Sequence, residues 1–597
     1  MKLKYSQKKF IQGNYQKLSN LQIATKLGID EEDVEAHINS NKRLFKKSEK
    51  PERKDIFSLQ KNDYFTIGLL IVLVIIVYIN SVNAPFLSDD TSIVAQEKLL
   101  SSINYLTNQP MFFFQSIRYF LAYQIGGLTP ALFRIPNIIF HAGFVTMIYI
   151  ISKLFTKNKN IPFFVAALAA VHPMMIESVT WISGGVYSQS ALITLLSFYS
   201  YLRGCKTQNM KWTILSYIFF VIALSTSEKT IIFPFIIAAY DLSFGTMRAN
   251  WKKIAGFFSL SFVYGLMLLT IVGERVDALN TAQGSNSAVG ITNPLIQIPT
   301  AIGTYLKLYF WPDKLTLYQS EFQMGLIPFA FLVILTISYF VALIYSYKKD
   351  KSIFFWQSFF IITLLPTLNP FGLSWIVAER YSYFGSVGLY FVFVSVFFKI
   401  FDNQKLKTFG YLIFTIIILS LSIRTIVRNI DWQTEDNLWI ATAKISKSDP
   451  KTFNNLGDVY SRSGDIQKAS EAFAHAIELN PNYPDAHHNL ANSYQKLGRI
   501  DEAVELYKKA ITLNPNLWQS YQSLASISFD NKKYDEAAGY IDSAIKIYPN
   551  NPQLYVNLGT IYSQSGNNSK AKRSFEKALE LEPGNEYAIG GLEAIRR

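Results

Sequence analysis

The sequence contains very little cysteine and little charge. Cys205 is the single cysteine among 597 residues, which excludes an internal disulfide framework. Charged residues make up 17% of the chain and hydrophobic residues 50%, so a purely soluble protein is a poor match to the composition. No cleavable signal sequence is recognisable, because about sixty polar residues precede a first apolar run that is long enough to span a membrane.

Long apolar runs fill the middle of the chain and predict about eleven membrane spans, each able to cross ~30 Å of hydrocarbon. They lie near residues 64–84, 132–155, 161–176, 187–204, 212–227, 230–246, 253–272, 325–346, 352–368, 381–400 and 408–427. The apolar segment 295–311 is interpreted as a re-entrant or interfacial helix. Pro173 predicts a break near the end of the third span.

The formal net charge of +14 could indicate nucleic-acid binding, but its distribution follows the positive-inside rule of membrane proteins. Lysine and arginine recur in alternate loops and in the first 62 residues. These regions are therefore predicted to be cytoplasmic, with the alternate loops and the C-terminal region outside. A nucleic-acid partner is not expected, and the lipid bilayer is.

The C-terminal region repeats with a period of 34 residues from Pro450 onwards. Alanine recurs at the twentieth and twenty-seventh positions of each repeat and proline at the thirty-second. Small residues allow the two helices of a hairpin to approach, and proline ends the second helix. The pattern predicts four tetratricopeptide repeats, followed by a capping helix over residues 586–597.

The N-terminal region carries the spacing of a helix–turn–helix in Ala24, Gly28 and Val34. The sequence therefore divides into three predicted parts. Residues 1–62 form a basic region with a small helical knob, 63–429 a transmembrane domain and 430–597 a repeat domain. The fold class is all-α, a polytopic membrane bundle followed by a tetratricopeptide α-solenoid.

Charged residues cluster at predicted span ends on the outer face. Asp89 and Asp90 follow the first span almost immediately, and acids so near hydrocarbon are candidates for function. The other candidates are Arg118, His172, Glu177, Lys229, Glu379 and Arg380. Any one of them could be an interfacial anchor, but together they suit a lipid-phosphate donor and a hydroxyl acceptor.

Several short motifs occur in one order: Ser88-Asp-Asp90, His172-Pro with Glu177, Tyr240-Asp-Leu242 and Ala378-Glu-Arg-Tyr381, followed by the repeats. In this arrangement the chain resembles the transmembrane and tetratricopeptide-repeat protein O-mannosyltransferases, a family of C-type glycosyltransferases. The resemblance covers roughly residues 64–597. One departure is Glu228-Lys229, where the family usually has Lys-Glu.

The resemblance implies a polyprenyl- or dolichyl-phosphate sugar as donor and a protein Ser or Thr hydroxyl as acceptor. It implies that Asp89 is the catalytic base and that Asp90 positions donor or acceptor. Arg380, with Arg118 as second candidate, would offset the charge of the leaving phosphate. A single displacement would invert the anomeric centre. Whether the aspartates hold a divalent cation is left open.

A row of asparagines marks the sixth position of three repeats: Asn455, Asn489 and Asn557, with Ser523 in the remaining repeat. An amide can both donate and accept a hydrogen bond. The row is therefore a candidate clamp for the backbone of an extended polypeptide acceptor, although asparagine could equally be a helix-packing choice.

Two alternative functions compete with protein O-glycosylation. One is a non-catalytic, membrane-anchored tetratricopeptide scaffold or sensor, although one span would suffice to anchor it. The other is an O-antigen ligase-like transferase acting on a lipid-linked glycan. Composition favours a bacterial cell membrane over the endoplasmic reticulum.

Overall fold

The computed structural model describes residues 3–15, 18–41, 57–97, 99–108, 110–282, 293–317, 319, 325–368 and 376–596. Within these ranges all regular secondary structure is helical, which confirms the all-α prediction. The chain divides into two compact units, residues 1–61 and 62–597.

In the described residues of the first unit there are three short helices, Tyr5–Asn14, Asn20–Leu27 and Glu31–Ser40. Gly28 ends the second helix with φ +60°, a left-handed conformation that glycine adopts without strain. Ala24 and Val34 are both buried in the small core of this unit, so the residues of the helix–turn–helix spacing lie where the two helices meet.

The second unit begins with a bundle of apolar helices. Its α-helices are Lys61–Tyr78, Asn104–Asn108, Phe113–Gly126, Pro130–Ser152, Ile161–Val171, Ile176–Val179, Gly185–Thr207, Met210–Leu224, Phe233–Phe244, Met247–Ala282, Pro294–Phe310, Leu326–Lys349, Lys351–Leu364, Ser386–Ile400 and Gln404–Arg428. A π-helical turn covers Thr91–Ala95, and 3-10 turns include Pro173–Met175, Glu228–Ile232 and Glu379–Ser382.

Within the part of the chain that the structure describes, five helical stretches are long and apolar enough to cross a membrane: Lys61–Ser81, Pro130–Ser152, Met247–Thr270, Leu326–Lys349 and Lys405–Trp432. A sixth arises if the bent pair Ile161–Val171 and Pro173–Val179 is one span. The bend of 59° falls at Pro173, as the sequence predicted. Helices also occupy the other predicted spans but are shorter or less apolar, so the count of eleven stays a prediction.

The repeats form four helical hairpins after the connecting helix Glu435–Ile445. The hairpin helices are Pro450–Arg462 with Ile466–Leu479, Pro484–Lys496 with Ile500–Leu513, Trp518–Asp530 with Tyr534–Ile547, and Pro552–Gln564 with Asn568–Leu581; helix Glu586–Arg596 follows. A Cβ atom on Gly457 would lie 2.5 Å from the Phe473 ring. The small residue at the eighth position is therefore required for the two helices to pack.

Candidate functional site

The acidic pair after the first span consists of two residues in different environments. Asp89 is exposed, whereas Asp90 is fully buried. One Asp90 oxygen accepts hydrogen bonds from the backbone N (2.8 Å) and Oγ (2.5 Å) of Ser183, and the other accepts from the backbone N of Leu87 (3.2 Å). Asp90 therefore anchors this loop and leaves Asp89 open to a substrate.

Burial raises the pKa of Asp90 to about 6, although the hydrogen bonds from Ser183 and Leu87 act in the opposite direction. Two adjacent carboxylates predict a raised pKa through their mutual repulsion. The larger cause is instead loss of water around one of them.

Arg134 holds the chain just before the two aspartates through hydrogen bonds. Its guanidinium is fully buried and donates to the carbonyl oxygens of Val82 (3.0 Å), Pro85 (2.9 Å) and Ala84. Its Nε donates to the carbonyl oxygen of Thr180 at 2.7 Å. One buried cation thus ties the loop after the first span to the segment that follows the bent helix.

Arg118 braces this segment. Its Nη1 donates to Oδ1 of Asn137 (2.8 Å), and its Nη2 donates to the Tyr119 hydroxyl (2.7 Å) and the Ile182 carbonyl (3.3 Å). Asn137 in turn donates to the carbonyl oxygen of Trp181 at 3.0 Å. Both terminal nitrogens of Arg118 thus donate to protein groups, and the side chain stabilises the segment around Trp181 and Ile182.

Trp181 contacts both the aspartate loop and Arg380. Its Nε1 donates to the carbonyl oxygen of Leu87 at 3.3 Å. The guanidinium carbon of Arg380 lies 5.5 Å from the Trp181 ring centroid and 5.0 Å from that of Tyr381. The Asp89–Asp90 loop and Arg380, which are far apart in sequence, are therefore neighbours across one indole ring.

Arg380 pairs with Glu177. The Oε2 atom of Glu177 accepts from the backbone N (2.9 Å) and Nη1 (3.2 Å) of Arg380. Arg380 is nine-tenths buried and Glu177 fully buried. Sequence adjacency alone would allow a pair between Arg380 and Glu379. The pairing with Glu177 instead fixes the guanidinium against the bent helix.

Glu379 points elsewhere, and its Oε1 lies 4.0 Å from Nη2 of Arg428. Nη1 of Arg428 donates to Oδ2 of Asp431 at 2.7 Å. Burial raises the pKa of Glu379. Arg428 ends the helix that leads to the repeats, so it connects the candidate site with the start of that region.

Lys229 completes the cationic side of the site. Its Nζ donates to the Tyr187 hydroxyl (3.1 Å) and lies 3.5 Å from the Tyr381 ring centroid. Burial lowers the pKa of Lys229 to about 7, and the positive charge of Arg380 acts in the same direction. Despite the reversed Glu228-Lys229 order, this lysine lies beside Arg380.

His172 lies at the bend before Pro173. Its Nδ1 accepts from the backbone N of Met174 (3.3 Å), and its Nε2 faces the carbonyl oxygen of Tyr309 (3.1 Å). Both ring nitrogens are thus used by backbone groups. The ring also lines an apolar cavity of about 440 Å³, together with Tyr309, Tyr390 and aliphatic side chains.

The repeat asparagines have different neighbours and hydrogen-bond partners. Nδ2 of Asn489 donates to Oδ1 of Asn454 (3.1 Å), and Oδ1 of Asn557 accepts from Gln553 (2.9 Å). Asn455 is half-buried beside Asn454. Asn557 shares a polar cavity of about 440 Å³ with Ser523, Gln495, Gln522 and Thr560. The amides that line this cavity thus include two glutamines outside the predicted set.

Comparison with known proteins finds two kinds of match, to tetratricopeptide repeat families and to protein O-mannosyl-transferases. Tetratricopeptide repeat models match residues 484–517 and 528–594, and a TPR repeat model matches residues 457–498. The chain is 26% identical over 400 residues to the human protein O-mannosyl-transferase TMTC3, covering 61% of this chain and 44% of that protein. The chain resembles the protein O-mannosyl-transferases.

Two other relatives match to different extents. The human protein O-mannosyl-transferase TMTC2 is 21% identical over 461 residues, covering 61% of this chain and 54% of that protein. The Drosophila melanogaster protein Tmtc2 is 33% identical over 127 residues, covering 21% of this chain and 13% of that protein. The match thus spans about half or less of these relatives' length.

Among solved structures, the chain is similar to the crystal structure of MamA, with a TM-score of 0.24 and 23% sequence identity. That similarity covers 25% of this chain and 87% of the MamA chain.

Sequence reasoning did not select several residues that complete the site. Ser183 binds Asp90, Tyr187 and Tyr381 flank Lys229, and Arg428 lies beside Glu379. Tyr381 lies directly after Arg380 in a quoted motif and could have been chosen. The other three are brought in from distant segments, which periodicity and spacing do not reveal.

Proposed function

We propose that this membrane protein transfers a hexose, with mannose as first candidate, from a polyprenyl-phosphate donor to Ser or Thr hydroxyls of extracytoplasmic polypeptides. The observation that carries the proposal is the position of Arg380 against Trp181, whose indole nitrogen holds the aspartate loop, with Lys229 on the Tyr381 ring next to Arg380. A phosphate group and a hydroxyl could thus be held near each other.

The residues divide the chemistry between them. Asp89 is exposed and takes the proton of the acceptor hydroxyl, while buried Asp90 holds the loop in place. The fork of Arg380 and the ammonium of Lys229 offset the charge that develops on the leaving phosphate. In a single displacement the acceptor oxygen bonds to the anomeric carbon as the carbon–phosphate oxygen bond breaks, which inverts that carbon.

The donor's isoprenoid chain has a suitable neighbour in the apolar cavity lined by His172, Tyr309 and Tyr390. The Tyr309 hydroxyl donates to Oγ of Ser382 at 2.8 Å, two residues after Arg380. One side chain that lines the cavity, Tyr309, therefore contacts the segment that carries the Arg380 guanidinium. A lipid tail there would leave its phosphate close to Arg380.

The proposal includes a membrane orientation. The N-terminal unit is cytoplasmic, and the aspartate loop and the repeats are extracytoplasmic, as the distribution of lysine and arginine favours. A bacterial cell membrane is the proposed setting. Chelation followed by re-addition of magnesium or manganese tests whether transfer needs a divalent cation near Asp89 and Asp90.

The decisive experiment is transfer in vitro by the purified full-length protein from defined polyprenyl-phosphate sugars to Ser/Thr peptides. We expect hexosylated peptide and inversion at the anomeric carbon. Asp89→Asn should reduce the rate by ~10²-fold or more, whereas exposed Asp530→Asn in the repeats is the matched control.

The outcomes separate the competing functions. No transfer with any donor, but peptide capture by the repeats, would favour a scaffold. Transfer to a lipid-linked glycan and not to peptides would favour the ligase-like reaction. Near-normal transfer by well-folded Asp89→Asn would remove Asp89 from its role.

A further inference from the structure

A third cavity, of about 500 Å³, lies between the transmembrane helices and the start of the repeat region. Four lysines line it: Lys307, Lys314, Lys444 and Lys447. The first lies near the end of helix Pro294–Phe310, the second in the following loop, the third in the last turn of the connecting helix and the fourth two residues after that helix. Three separate segments thus contribute lysines to the lining of one cavity.

The four lysines have no acidic partner among the described residues. The hydrogen bonds of Lys314 there involve only its backbone N and O. Four lysines around one cavity favour an anion with several acceptor oxygens.

The opposite wall of the cavity is apolar and belongs to a membrane span. Pro328 and Phe331 line it, and both lie in the first turns of helix Leu326–Lys349, one of the five span-length stretches. The neighbouring side chains Leu326 and Ile327 are more than four-fifths exposed. Such an apolar surface at a span end is expected to face lipid.

We infer that this cavity binds the phosphate headgroup of an anionic membrane lipid. Lysines bind phosphate as point charges, and lysines at a span end extend towards the headgroup layer. The volume lies within the ~300–1,000 Å³ of ordinary ligand sites. A soluble phosphate would use the lysines but gain nothing from Pro328 and Phe331, so the apolar wall selects the lipid source.

The binding would have a structural consequence. Lys444 and Lys447 lie just before the first repeat helix, which begins at Pro450. A headgroup held by these lysines together with Lys307 and Lys314 would tie the start of the repeats to the membrane surface. The inference does not depend on the proposed transfer reaction, because the lipid carries no sugar.

The test uses purified full-length protein in detergent and native mass spectrometry with added phosphatidylglycerol, phosphatidylcholine or inorganic pyrophosphate. We compare Lys314→Gln/Lys444→Gln/Lys447→Gln with the control Lys496→Gln/Lys509→Gln/Lys532→Gln, which removes the same charge from exposed repeat positions. We expect phosphatidylglycerol binding to weaken at least about tenfold in the first variant and to be unchanged in the control.

A third variant guards against loss of folding. Lys314→Arg/Lys444→Arg/Lys447→Arg retains the positive charge and should bind phosphatidylglycerol as the unaltered protein does. Equal loss in both glutamine variants, equal binding of phosphatidylglycerol and phosphatidylcholine, or binding of pyrophosphate without the lipid would each overturn the inference. Since no sugar transfer is measured, failure here is distinguishable from failure of the proposed reaction.

Discussion

Oε2 of Glu177 accepts hydrogen bonds from both the backbone N and the Nη1 atom of Arg380. The carboxylate thus holds the backbone and the side chain of one residue, which directs the guanidinium towards Trp181 and Tyr381. A buried cation whose position is set in this way costs little to reorganise when a phosphate arrives.

The first prediction concerns this guanidinium. Arg380→Lys keeps a positive charge but loses the planar fork, so we expect the donor KM to rise by about tenfold with a smaller change in acceptor KM. Steady-state kinetics with each substrate varied in turn measures the difference.

Exposed Arg462, which pairs with Asp436, provides the control as Arg462→Lys. Unchanged donor KM in folded Arg380→Ala would mean that Arg380 acts only as the partner of Glu177. A well-folded Glu177→Gln with normal kinetics would contradict the positioning role of the carboxylate.

The second prediction concerns acid pH. Because the pKa of Asp90 is raised to about 6, its carboxylate is ionised above pH ~6 and protonated below it. Protonation removes an acceptor from the Leu87 or Ser183 N–H, so transfer should decline as pH falls through ~6. A pH–rate profile checks this.

Stability should respond in the opposite sense. The pKa of Asp90 is higher in the folded protein than its ordinary value of 3.8, so folding takes up protons between these values. Its contribution to the free energy of unfolding therefore falls as pH rises from about 4 to about 6. Asp90→Asn should remove both the fall in transfer rate below pH ~6 and this pH dependence of the free energy of unfolding. If the transfer rate of that variant falls at acid pH as before, another group is responsible for the fall.

The third prediction concerns neutral and alkaline pH. With the pKa of Lys229 lowered to about 7, this side chain loses its charge as pH rises through ~7, and donor KM should increase. Lys229→Arg stays protonated and should flatten that dependence. Donor titrations between pH 6 and 9 measure it; the same slope in both proteins would exclude Lys229 as the source.

The fourth prediction concerns the polar cavity in the repeats. Gln522→Ala/Asn557→Ala removes two amides from its lining and should raise the KM of a long polypeptide acceptor several-fold, at about 0.5–1.5 kcal/mol per hydrogen bond. Transfer to a short peptide that cannot reach the repeats should not change.

Gln564→Ala/Asn568→Ala, at exposed positions of the last repeat, is the matched control. The same comparison applied to Asn455, Asn489 and Asn557 together tests the original clamp. If long and short acceptors lose transfer equally, or neither does, the repeats do not hold the acceptor through these amides.

The repeats were the part of the fold most open to prediction, because each packing contact is encoded locally. Ala469 and Ala476 are fully buried at the predicted positions, and Gly457 meets Phe473. The predicted spans were less certain because polar side chains such as Gln189 and Thr194 are buried inside the bundle, which lowers the hydropathy of helices that are nonetheless central.

The sequence predicted which residues belong to the candidate site better than it predicted which of them contact one another. Charges at span ends indicated Glu177, Lys229 and Arg380, and the structure brings these together. Sequence adjacency allowed Glu379 as a partner of Arg380, but adjacent residues on a 3-10 turn point in different directions, and Arg380 pairs with Glu177. The bracing by Arg134 and Trp181 depends on tertiary contacts between segments about 50 to 100 residues apart, which have no local signature.

The hairpins of the repeat region pack in series, each against the one before and the one after it. A gene encoding such an array can gain or lose a unit by duplication or deletion of 34 codons, because the new hairpin supplies the same surfaces that it covers. The length of the array could thus change during evolution, and with it the range of polypeptides within reach, without any alteration of Asp89 or Arg380.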